Sequence, residues 1–564
     1  MRILGIGLSH CAGVCLIEDD RIVFAQEEER FSRRRRQKGW PALSLEHLFR
    51  HYRLKESDID LCVVCDLQAA ERLPEPIRAL RAKRTIAVHH HLAHVMSGWA
   101  LSPWDDFEAV SLDGGGDYAA WLSFAAVRGR ALQHWESNCG AQLDAPRRRV
   151  VRGLLHRRAP GRPFGTYWSM PAVVNFGMVD HHGIAGYEGK LMGLAAHGQA
   201  GRFASHGLRY DGSFATVRRG RWTWLTTHGH PKIGDPEHCV TPDGRRVPLA
   251  EVRRLRKQEQ RIVCEYDLER PDHRQIAADF AAQLQRQTDE ALLRCVAENF
   301  EPGSRVVVSG GTFANVLSNG LLNRDYRLFV TPPMGDEGLA LGAAAWGAYV
   351  SGIERLQPTT LYLGFDAGRN PDVDPEEVGE RLANREVVGL IDGPMELGPR
   401  ALGARTILAD PQDADANQTI NERLGRVEYM PFAPVILQEF AGEVLRGWLP
   451  DHASARHMTL VYQVHPAWRE RLAGVVHVDG TVRPQVLGEA EHPFYHAIVR
   501  AYWKRTGIPV LINTSFNAHG EPMVRTAEDG LRALAEGRVD ALVAGNKVTS
   551  SNKQQATSNS MAKP

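Results

Sequence analysis

The chain has 564 residues, of which 43% are hydrophobic and 24% charged, and its net charge is +1. This composition is typical of a globular protein, and the near-neutral balance excludes a global attraction to nucleic acid or to a membrane surface. We expect no membrane span, because no run of about 18 apolar residues exists. The N-terminal residues do not resemble a secretory signal, and eight scattered cysteines indicate a reducing cytoplasm.

The N-terminal half repeats one succession of short apolar runs and turns. The runs are residues 2–8, 14–17 and 22–25 in the first copy, and residues 109–112, 119–127 and 131–135 in the second. Each run has the length and composition of a strand. Strand, turn, strand, turn, strand, twice over, predicts a duplicated ribonuclease-H-like unit. Two such lobes form an α/β, actin-like architecture, which we assign to residues 1–355, with a nucleotide held in the cleft between the lobes.

The second half shows a different pattern. The apolar spacing over residues 272–300 predicts a helix with Asp272 as N-cap. Residues 356–375 are rich in Pro, Gly and Asp and predict a linker. A further α/β domain follows over residues 376–545, and residues 546–564 have the polar composition of a disordered tail.

The histidine-rich run at residues 89–94 suggests a metal site. His90 and His94 are four residues apart, so on a helix their side chains share one face and can hold one ion, such as Zn²⁺, Fe²⁺ or Ni²⁺. Asp113 and Asp336 follow apolar or proline-bounded runs and border glycines, which suits strand ends that face a cleft. They are the best candidates to complete the ligand set. A histidine-rich surface helix without metal is the alternative.

Three glycine-containing segments are candidates for binding phosphate. Gly114 and Gly115 lie in the turn after Asp113, and Lys190 enters a helical run between glycines. Gly310 and Gly311 follow the predicted strand 305–308 and precede a predicted helix over residues 314–322, near Asn315. A strand, a glycine turn and a helix N-terminus together present backbone N–H groups to an anion.

Several motifs give the chain a family resemblance that covers about residues 1–545. They are Gln26-Glu-Glu-Glu-Arg-Phe-Ser-Arg33, His90-His-Leu-Ala-His94, Asp113-Gly-Gly-Gly-Asp117, Glu188-Gly-Lys-Leu-Met-Gly-Leu-Ala195, Met334-Gly-Asp-Glu-Gly338, Leu397-Gly-Pro-Arg-Ala-Leu-Gly403 and Asn513-Thr-Ser-Phe-Asn517. In this order they resemble the NodU/CmcH-type O-carbamoyltransferases. The last two motifs are the most specific.

The resemblance implies an actin-like domain followed by a YrdC-like α/β domain. It also implies that His90, His94, Asp113 and Asp336 bind Fe²⁺. The YrdC-like domain would make carbamoyl adenylate from ATP and carbamoyl phosphate, with Mg²⁺ as a possible companion ion. The actin-like domain would then transfer the carbamoyl group to a hydroxyl of a small natural product, as in antibiotic tailoring.

Candidate residues for these two steps follow from their chemistry. Arginines offer bidentate contacts to the phosphates of both polyanions, and neutral side chains at a strand end add hydrogen bonds. The candidates for ATP and carbamoyl phosphate are Arg400, Arg405, Arg426, Asn513, Ser515 and Asn517. For the acceptor hydroxyl, His10 is the candidate base, although a structural role in the turn is an equal alternative.

Two departures from the family pattern concern these sites. Cys11 stands where the family usually has Asp, beside His10, and Met430 stands where an arginine is frequent. The first affects acceptor binding and the second a phosphate contact. A tRNA threonylcarbamoyl transferase and a non-catalytic ATP-binding regulator are the alternative functions, and the near-neutral charge disfavours a nucleic-acid partner. The sequence does not identify the acceptor or the oligomeric state.

Overall fold

A computed structural model of the chain describes residues 1–65, 75–113, 122–129, 131–136, 188–202, 209–210, 215–216, 238–240, 246–248, 268, 270–426 and 430–551. The chain divides into two compact units. One comprises Met1–Val150 and Val296–Pro564, and the other comprises Val151–Cys295.

The first sheet of the larger unit contains strands β1 Arg2–Gly7, β2 Gly13–Glu18, β3 Arg21–Glu27, β4 Leu61–Cys65 and β5 Thr85–Val88. Their order is β3-β2-β1-β4-β5, with antiparallel pairing from β3 to β1 and parallel pairing from β1 to β5. Both faces are buried, so the strands are continuous apolar runs. Cys62 and Cys65, three residues apart on β4, belong to opposite faces and to different clusters of the core.

The second sheet contains β6 Phe107–Leu112, β7 Leu122–Arg128, β8 Ala131–Glu136, β9 Arg305–Ser309 and β10 Arg327–Val330. Its order is β8-β7-β6-β9-β10, again antiparallel over the first three strands and parallel over the rest. Order and direction therefore match those of the first sheet. The predicted duplication of a ribonuclease-H-like unit is confirmed.

Helices pack against both sheets. The longer ones here are α1 Ala42–His51, α2 His90–Leu101, α3 Val316–Asp325 and α4 Leu339–Val350, and the short ones are Glu29–Ser32 and Glu75–Ala79. Helices α2 and α4 cross at close range, since a Cβ on Gly342 would lie 1.8 Å from the carbonyl oxygen of Ala93. Helix α4 also lies against β1, where a Cβ on Gly5 would lie 2.1 Å from the carbonyl oxygen of Ala340. Small residues thus bring the backbones of these elements together.

A third, mixed sheet forms the C-terminal part of the larger unit. Its strands are β11 Val388–Ile391, β12 Arg405–Ala409, β13 Ala433–Leu437, β14 Gln485–Leu487, β15 Val510–Ser515, β16 Ala541–Ala544 and β17 Lys547–Ser550. Their order is β14-β13-β15-β12-β11-β16-β17. The helices around it are α5 Pro375–Ala383, α6 Pro493–Thr506 and α7 Ala527–Ala535, with shorter helices Ala416–Arg423, Ala441–Val444 and Pro466–Arg469. Small two-stranded ladders join Tyr362–Asp366 to Pro394–Glu396 and Tyr462–Gln463 to Thr481–Val482.

Two segments differ from the sequence-based expectation. The predicted linker, residues 356–375, includes the strand Tyr362–Asp366, which pairs with Pro394–Glu396 because its own Tyr-Leu-Gly-Phe run can be buried there. The predicted tail, residues 546–564, begins with strand β17, which closes the edge of the third sheet against β16. Residues 552–564 lie outside the described part of the chain.

In the smaller unit, the main described element is the helix Pro271–Ala297. Asp272, predicted as its N-cap, lies within the first turn instead, because the helix begins at Pro271. The other described elements are the helix Glu188–Leu194 and the short strands Arg209–Tyr210, Ala215–Thr216, His238–Val240 and Arg246–Pro248. Across the described residues of the whole chain, no helix combines the length and the apolar character that a membrane span needs.

Candidate metal centre

The two predicted histidine ligands lie at the start of helix α2. His90 is its first residue, and His94 follows one turn later on the same face. The preceding residue, His89, is the N-cap, and its Nδ1 accepts a hydrogen bond from the N–H of His91. The cap fixes the first turn, so both imidazoles leave the helix in one direction. His90 and His94 are 4% and 0% exposed.

The two predicted carboxylates lie at strand ends of the second sheet. Asp113 follows β6 directly, and Asp336 follows β10 through the loop that leads into helix α4. Parallel strands β6, β9 and β10 bring these ends to one edge of the sheet. Both aspartates thus follow strands that end at this edge, as the sequence predicted.

One ligand atom from each of the four residues lies within 4.8 Å of the others. The two histidine Nε2 atoms are 3.2 Å apart, and Asp113 Oδ2 lies 3.1 Å from His90 Nε2 and 2.9 Å from His94 Nε2. Asp336 Oδ1 lies 3.7 Å from each of these nitrogens. The four side chains therefore converge on one point.

These distances fit a bound divalent ion. Ligand nitrogens about 2.1 Å from a shared ion, at an angle near the tetrahedral one, are roughly 3.4 Å apart. Two imidazoles and two carboxylates are a donor set that suits Fe²⁺, Zn²⁺ or Mn²⁺. A cation bound at this point would also offset the cost of burying two carboxylates together away from water.

Electrostatics keep the ligand set in the form that binds a cation. Burial on its own raises the pKa of Asp113, and the charge of Asp336 adds to this, but hydrogen bonds with His90 and His94 hold it below its ordinary value. Burial likewise opposes the ionisation of Asp336, yet His10, His90 and His94 hold its pKa well below the ordinary value. Both carboxyls are therefore negatively charged at neutral pH.

His10, the candidate base, extends the centre toward solvent. Its Nδ1 lies 3.0 Å from Asp336 Oδ2, and its side chain is 46% exposed while that of Asp336 is 5% exposed. The hydrogen bond with Asp336 raises the pKa of His10 against the opposing effect of burial. This contact orients the ring and directs Nε2 away from Asp336.

The glycine turn after β9 lies beside the centre. Gly310 has φ +95°, and a Cβ there would lie 2.1 Å from the carbonyl oxygen of Leu112, so only glycine fits. A Cβ on Gly311 would lie 2.9 Å from Asp113 Oδ1. A 3-10 turn, Gly311–Ala314, follows Gly310 and precedes helix α3. Asn315 caps that helix, because its side chain accepts a hydrogen bond from the N–H of Ser318. The predicted helix over residues 314–322 thus starts later, because Asn315 provides the cap.

The remaining phosphate-binding candidates have different outcomes. Gly114 and Gly115 lie outside the described residues. Lys190 belongs to the smaller unit, in the helix Glu188–Leu194, and is half-buried. Their assignment to a nucleotide remains a prediction.

Two of the polar residues predicted to bind ATP or carbamoyl phosphate are occupied within the protein. Arg405 is 0% exposed, and its guanidinium donates to backbone carbonyls, including those of Arg525, Gly393 and Phe365. Asn513 is 1% exposed and donates to the carbonyl of Ala401 and to Gln485. The structure therefore gives both residues a structural role in place of the predicted phosphate contact.

Arg426 is hydrogen-bonded to residues at the end of β15 that were predicted to bind the same ligand. The Arg426 guanidinium donates to the side chains of Thr514, Ser515 and Asn517, and also to the carbonyls of Ser515 and Asn517. Arg426, Ser515 and Asn517 are part-buried and border solvent. A phosphate at this position would compete with these internal bonds.

Arg400 differs from Arg405 because its buried Nε has no hydrogen-bond partner among the described residues. Burial lowers its pKa, and the nearby charge of Glu337 opposes that effect. Glu337 follows the metal-ligand candidate Asp336 directly. Arg400, predicted from the sequence as a residue of the C-terminal site, thus lies near the loop that carries Asp336.

Three residues of the family motifs had no role assigned from the sequence and prove to act near Arg400. Glu337 follows Asp336 and interacts electrostatically with Arg400, and Glu27 and Arg30 contact Gly398 in the segment that carries Arg400. All three belong to motifs that carry the family resemblance, and only this membership pointed to a role for them. Their partners lie hundreds of positions away, so spacing alone does not reveal them.

Fold and site together define an α/β protein with a repeated ribonuclease-H-like sheet and a candidate metal centre of two imidazoles and two carboxylates. Family models match the chain on both sides of the linker: "Carbamoyltransferase N-terminus" over residues 248–345 and "Carbamoyltransferase C-terminus" over residues 379–551. The chain belongs to the carbamoyltransferase family of nodulation protein U and 3'-hydroxymethylcephem-O-carbamoyltransferase, and it is an enzyme of the carbamoyltransferase type.

Individual relatives extend this match. An uncharacterized protein of Methanocaldococcus jannaschii is 28% identical over 98% of this chain and 100% of its own length. Nodulation protein NolNO of Sinorhizobium fredii is 28% identical over 95% of this chain and 78% of its own. The 3'-hydroxymethylcephem-O-carbamoyltransferase of Amycolatopsis lactamdurans is 29% identical over 44% of this chain and 49% of its own. The solved structure of full-length HypF covers 63% of this chain and 56% of its own with a TM-score of 0.30, too loose a superposition to define the fold.

Proposed function

We propose that the protein is an ATP-dependent O-carbamoyltransferase that carbamoylates a hydroxyl of a small natural product. The carrying observation is the convergence of His90, His94, Asp113 and Asp336, with His10 beside them, in a chain of the carbamoyltransferase family. The 3'-hydroxymethylcephem-O-carbamoyltransferase, whose name states transfer to a hydroxymethyl oxygen, supports a small hydroxyl acceptor.

The proposed reaction has two steps in two halves of the larger unit. In the C-terminal half, which we propose to be YrdC-like, carbamoyl phosphate loses phosphate to water, and the resulting carbamate oxygen attacks the α-phosphorus of ATP. Carbamoyl adenylate forms and pyrophosphate leaves, so one phosphate and one pyrophosphate appear for each adenylate. In the N-terminal, actin-like half the acceptor hydroxyl attacks the carbamoyl carbon, and AMP leaves.

The residues of the metal centre suit the second step. His90, His94, Asp113 and Asp336 would hold a divalent ion, which we propose to be Fe²⁺ and which would supply Lewis acidity to the carbamoyl carbonyl. His10 accepts the proton of the attacking hydroxyl through Nε2 while its Nδ1 remains bound to Asp336. Asp336 orients the ring in this scheme, as a carboxylate does for other histidine bases.

The polar groups beside the centre suit a bound anion. The buried hydroxyls of Ser9 and Thr312 and the buried Nε of Arg400 have no hydrogen-bond partner among the described residues. Buried polar groups are ordinarily paired, so we propose that a ligand with acceptor oxygens, such as the phosphate and carbonyl of an acyl adenylate, satisfies them. Arg400 then contacts the phosphate with a charge-assisted hydrogen bond.

We propose that Cys11, beside His10, contacts the acceptor. Burial raises the pKa of its thiol well above the ordinary value, and the charges of Glu337 and Asp336 add to the effect. The thiol is therefore neutral at physiological pH, in contrast to the aspartate that the family usually has here. We propose that Cys11 adapts the pocket to an acceptor group less polar than the one recognised by that aspartate.

The direct test is pyrophosphate release from ATP by the purified, iron-loaded protein. We expect release that requires carbamoyl phosphate and is matched by free phosphate. Absence of this release would contradict the proposed function. Arg400→Ala should abolish it while the bound metal stays at the wild-type level. His94→Ala should lose the metal and retain the release, because adenylate formation is assigned to the other half.

A further inference from the structure

One segment at the end of strand β3, residues 26–33, contacts the C-terminal part of the larger unit at several points. Gln26 Oε1 accepts a hydrogen bond from the N–H of Phe365 over 2.8 Å. The Arg33 guanidinium donates to the carbonyls of Pro522 and Met523. The segment thus connects the first ribonuclease-H-like sheet with the surroundings of the third sheet.

Two side chains of this segment, Glu27 and Arg30, bind both backbone groups of Gly398, and we call this contact the grip. Glu27 Oε1 accepts from the N–H of Gly398 over 2.8 Å, and Arg30 Nη2 donates to the carbonyl of Gly398 over 3.0 Å. Glu27 Oε2 and Arg30 Nε are 3.5 Å apart, with side chains 3% and 5% exposed. Together the two side chains replace the two hydrogen bonds that a neighbouring strand would make with Gly398.

The gripped residue begins a turn that leads to Arg400. Gly398 has φ +102°, and a Cβ there would lie 3.3 Å from Cα of Pro333 in the loop that precedes Asp336. Pro399 follows, and its ring restricts the backbone between the grip and Arg400. The position of Gly398 therefore restricts the backbone that carries Arg400, whose guanidinium interacts electrostatically with Glu337.

Stability alone is a weak reason for this arrangement. Burial raises the pKa of Glu27, which shows how costly its charge is in this environment, and Arg30 and the hydrogen bond from Gly398 offset part of that cost. A buried ion pair of this kind is often no more stable than apolar residues of the same volume. Its geometry, in contrast, specifies one register between the two segments.

We propose that Glu27 and Arg30 are positioning residues that hold Gly398 so that Arg400 faces the loop Met334–Gly338 beside the metal centre. Arg400 then belongs to both halves, because it is carried by the C-terminal half and directed at the N-terminal one. The catalytic part of this inference rests on the proposed function. The grip itself stands on the contacts described above.

The grip is tested first by hydrogen–deuterium exchange of the full-length protein, followed in the peptide that spans residues 394–404. Arg30→Ala removes one side of the grip, so we expect faster exchange at Gly398. Arg35→Ala is the matched control, because it removes a nearby arginine whose side chain is exposed. Unchanged exchange in Arg30→Ala would overturn the proposal. Should Arg30→Ala fail to fold, Glu27→Gln, which keeps the acceptor oxygen but loses the charge, is expected to give a smaller increase.

The catalytic consequence is tested by carbamoyl-phosphate-dependent pyrophosphate release, because Arg400 is carried by the C-terminal half, to which adenylate formation is assigned. We expect Arg30→Ala to lower its kcat by about 10- to 100-fold with metal content unchanged, since a displacement of about 1 Å costs this much. Arg400→Lys should cause a similar loss, and the double variant should be no slower than the slower single one. A purely structural role for Arg30 would give multiplicative losses, and that result would overturn the proposal.

The two tests separate the grip from the function. If the wild-type protein releases no pyrophosphate while Arg30→Ala still exchanges faster at Gly398, the proposed function fails and the grip stands. If the wild-type protein is active and both Arg30→Ala and Glu27→Gln keep its kcat, the positioning role fails and the proposed function stands.

Discussion

Two polar clusters at strand ends of the same unit have opposite hydrogen-bonding states. At the metal centre, four side chains converge on a point, and neighbouring Ser9, Thr312 and Arg400 have buried polar atoms that no described residue satisfies. In the third sheet, Arg405 at the start of β12 and Asn513 within β15 donate to backbone carbonyls, and Asn513 also donates to Gln485. Both clusters follow an apolar strand, so their sequences predict the same kind of site.

For these residues, hydrogen bonding separates buried atoms that a ligand could satisfy from an arginine and an asparagine that the protein itself satisfies. A buried polar group without a partner is rare in folded proteins and indicates that something else satisfies it. A fully bonded arginine such as Arg405 instead holds several backbone segments together. The following predictions test this contrast, starting with the largest effect.

Replacing His94 by Ala should weaken binding of the divalent ion by more than about 100-fold, because it removes a ligand from a preformed set. Metal content of the purified protein, measured by elemental analysis, checks this. The matched control is His89→Asn, which keeps a side-chain cap for helix α2 and touches no ligand atom. Retention of the metal by His94→Ala would remove the basis for the centre.

Replacing Arg405 by Met should lower the free energy of unfolding by about 3–5 kcal/mol, because it leaves buried carbonyls without donors. Arg532→Ala, at a side chain that is 68% exposed, should change it by less than about 0.5 kcal/mol. Urea unfolding of both variants makes the comparison. A change below about 1 kcal/mol for Arg405→Met would instead support its availability for a ligand.

A further prediction concerns two histidines of the C-terminal part, whose effect appears only at acidic pH. Burial lowers the pKa of His457 to about 3 and that of His492 to about 4, from 6.5. Both are therefore neutral in the folded protein and take up a proton on unfolding near pH 6.5. Stability is fully present above that pH and falls progressively as the pH drops toward 4 and 3.

This pH dependence can be assigned with one variant. His457→Phe keeps a ring at the position and removes the titration, so its free energy of unfolding should fall less steeply between pH 6.5 and pH 4. Unfolding at pH 8 measures the packing effect of the substitution separately. An unchanged slope would show that His457 does not contribute.

The sequence predicted the elements that depend on local pattern. The three successive strands that open each sheet follow from short apolar runs, and the convergence of His90 and His94 follows from helical spacing. Asp113 and Asp336 were found because glycines beside a strand end mark a cleft. These features are encoded within about 10 residues each.

The sequence did not predict contacts between distant segments. The bond between Glu27 and Gly398 joins residues 371 positions apart, and Arg405 donates to Arg525 across 120 positions. Arg405 and Arg400 lie in one short run and look equally suited to phosphate, yet one is enclosed by carbonyls and the other is not. Only the tertiary environment separates them.

The close crossing of helices α2 and α4 has a consequence for handling the protein. The crossing brings the helix that carries His90 and His94 against the helix that follows Asp336, and Gly342 leaves no gap at Ala93. Because apolar packing fixes this crossing, a chelator should remove an ion bound at the candidate centre without unfolding the chain. The emptied protein should then accept other divalent ions directly, and their affinities measured by exchange would identify the ion that the proposed centre prefers.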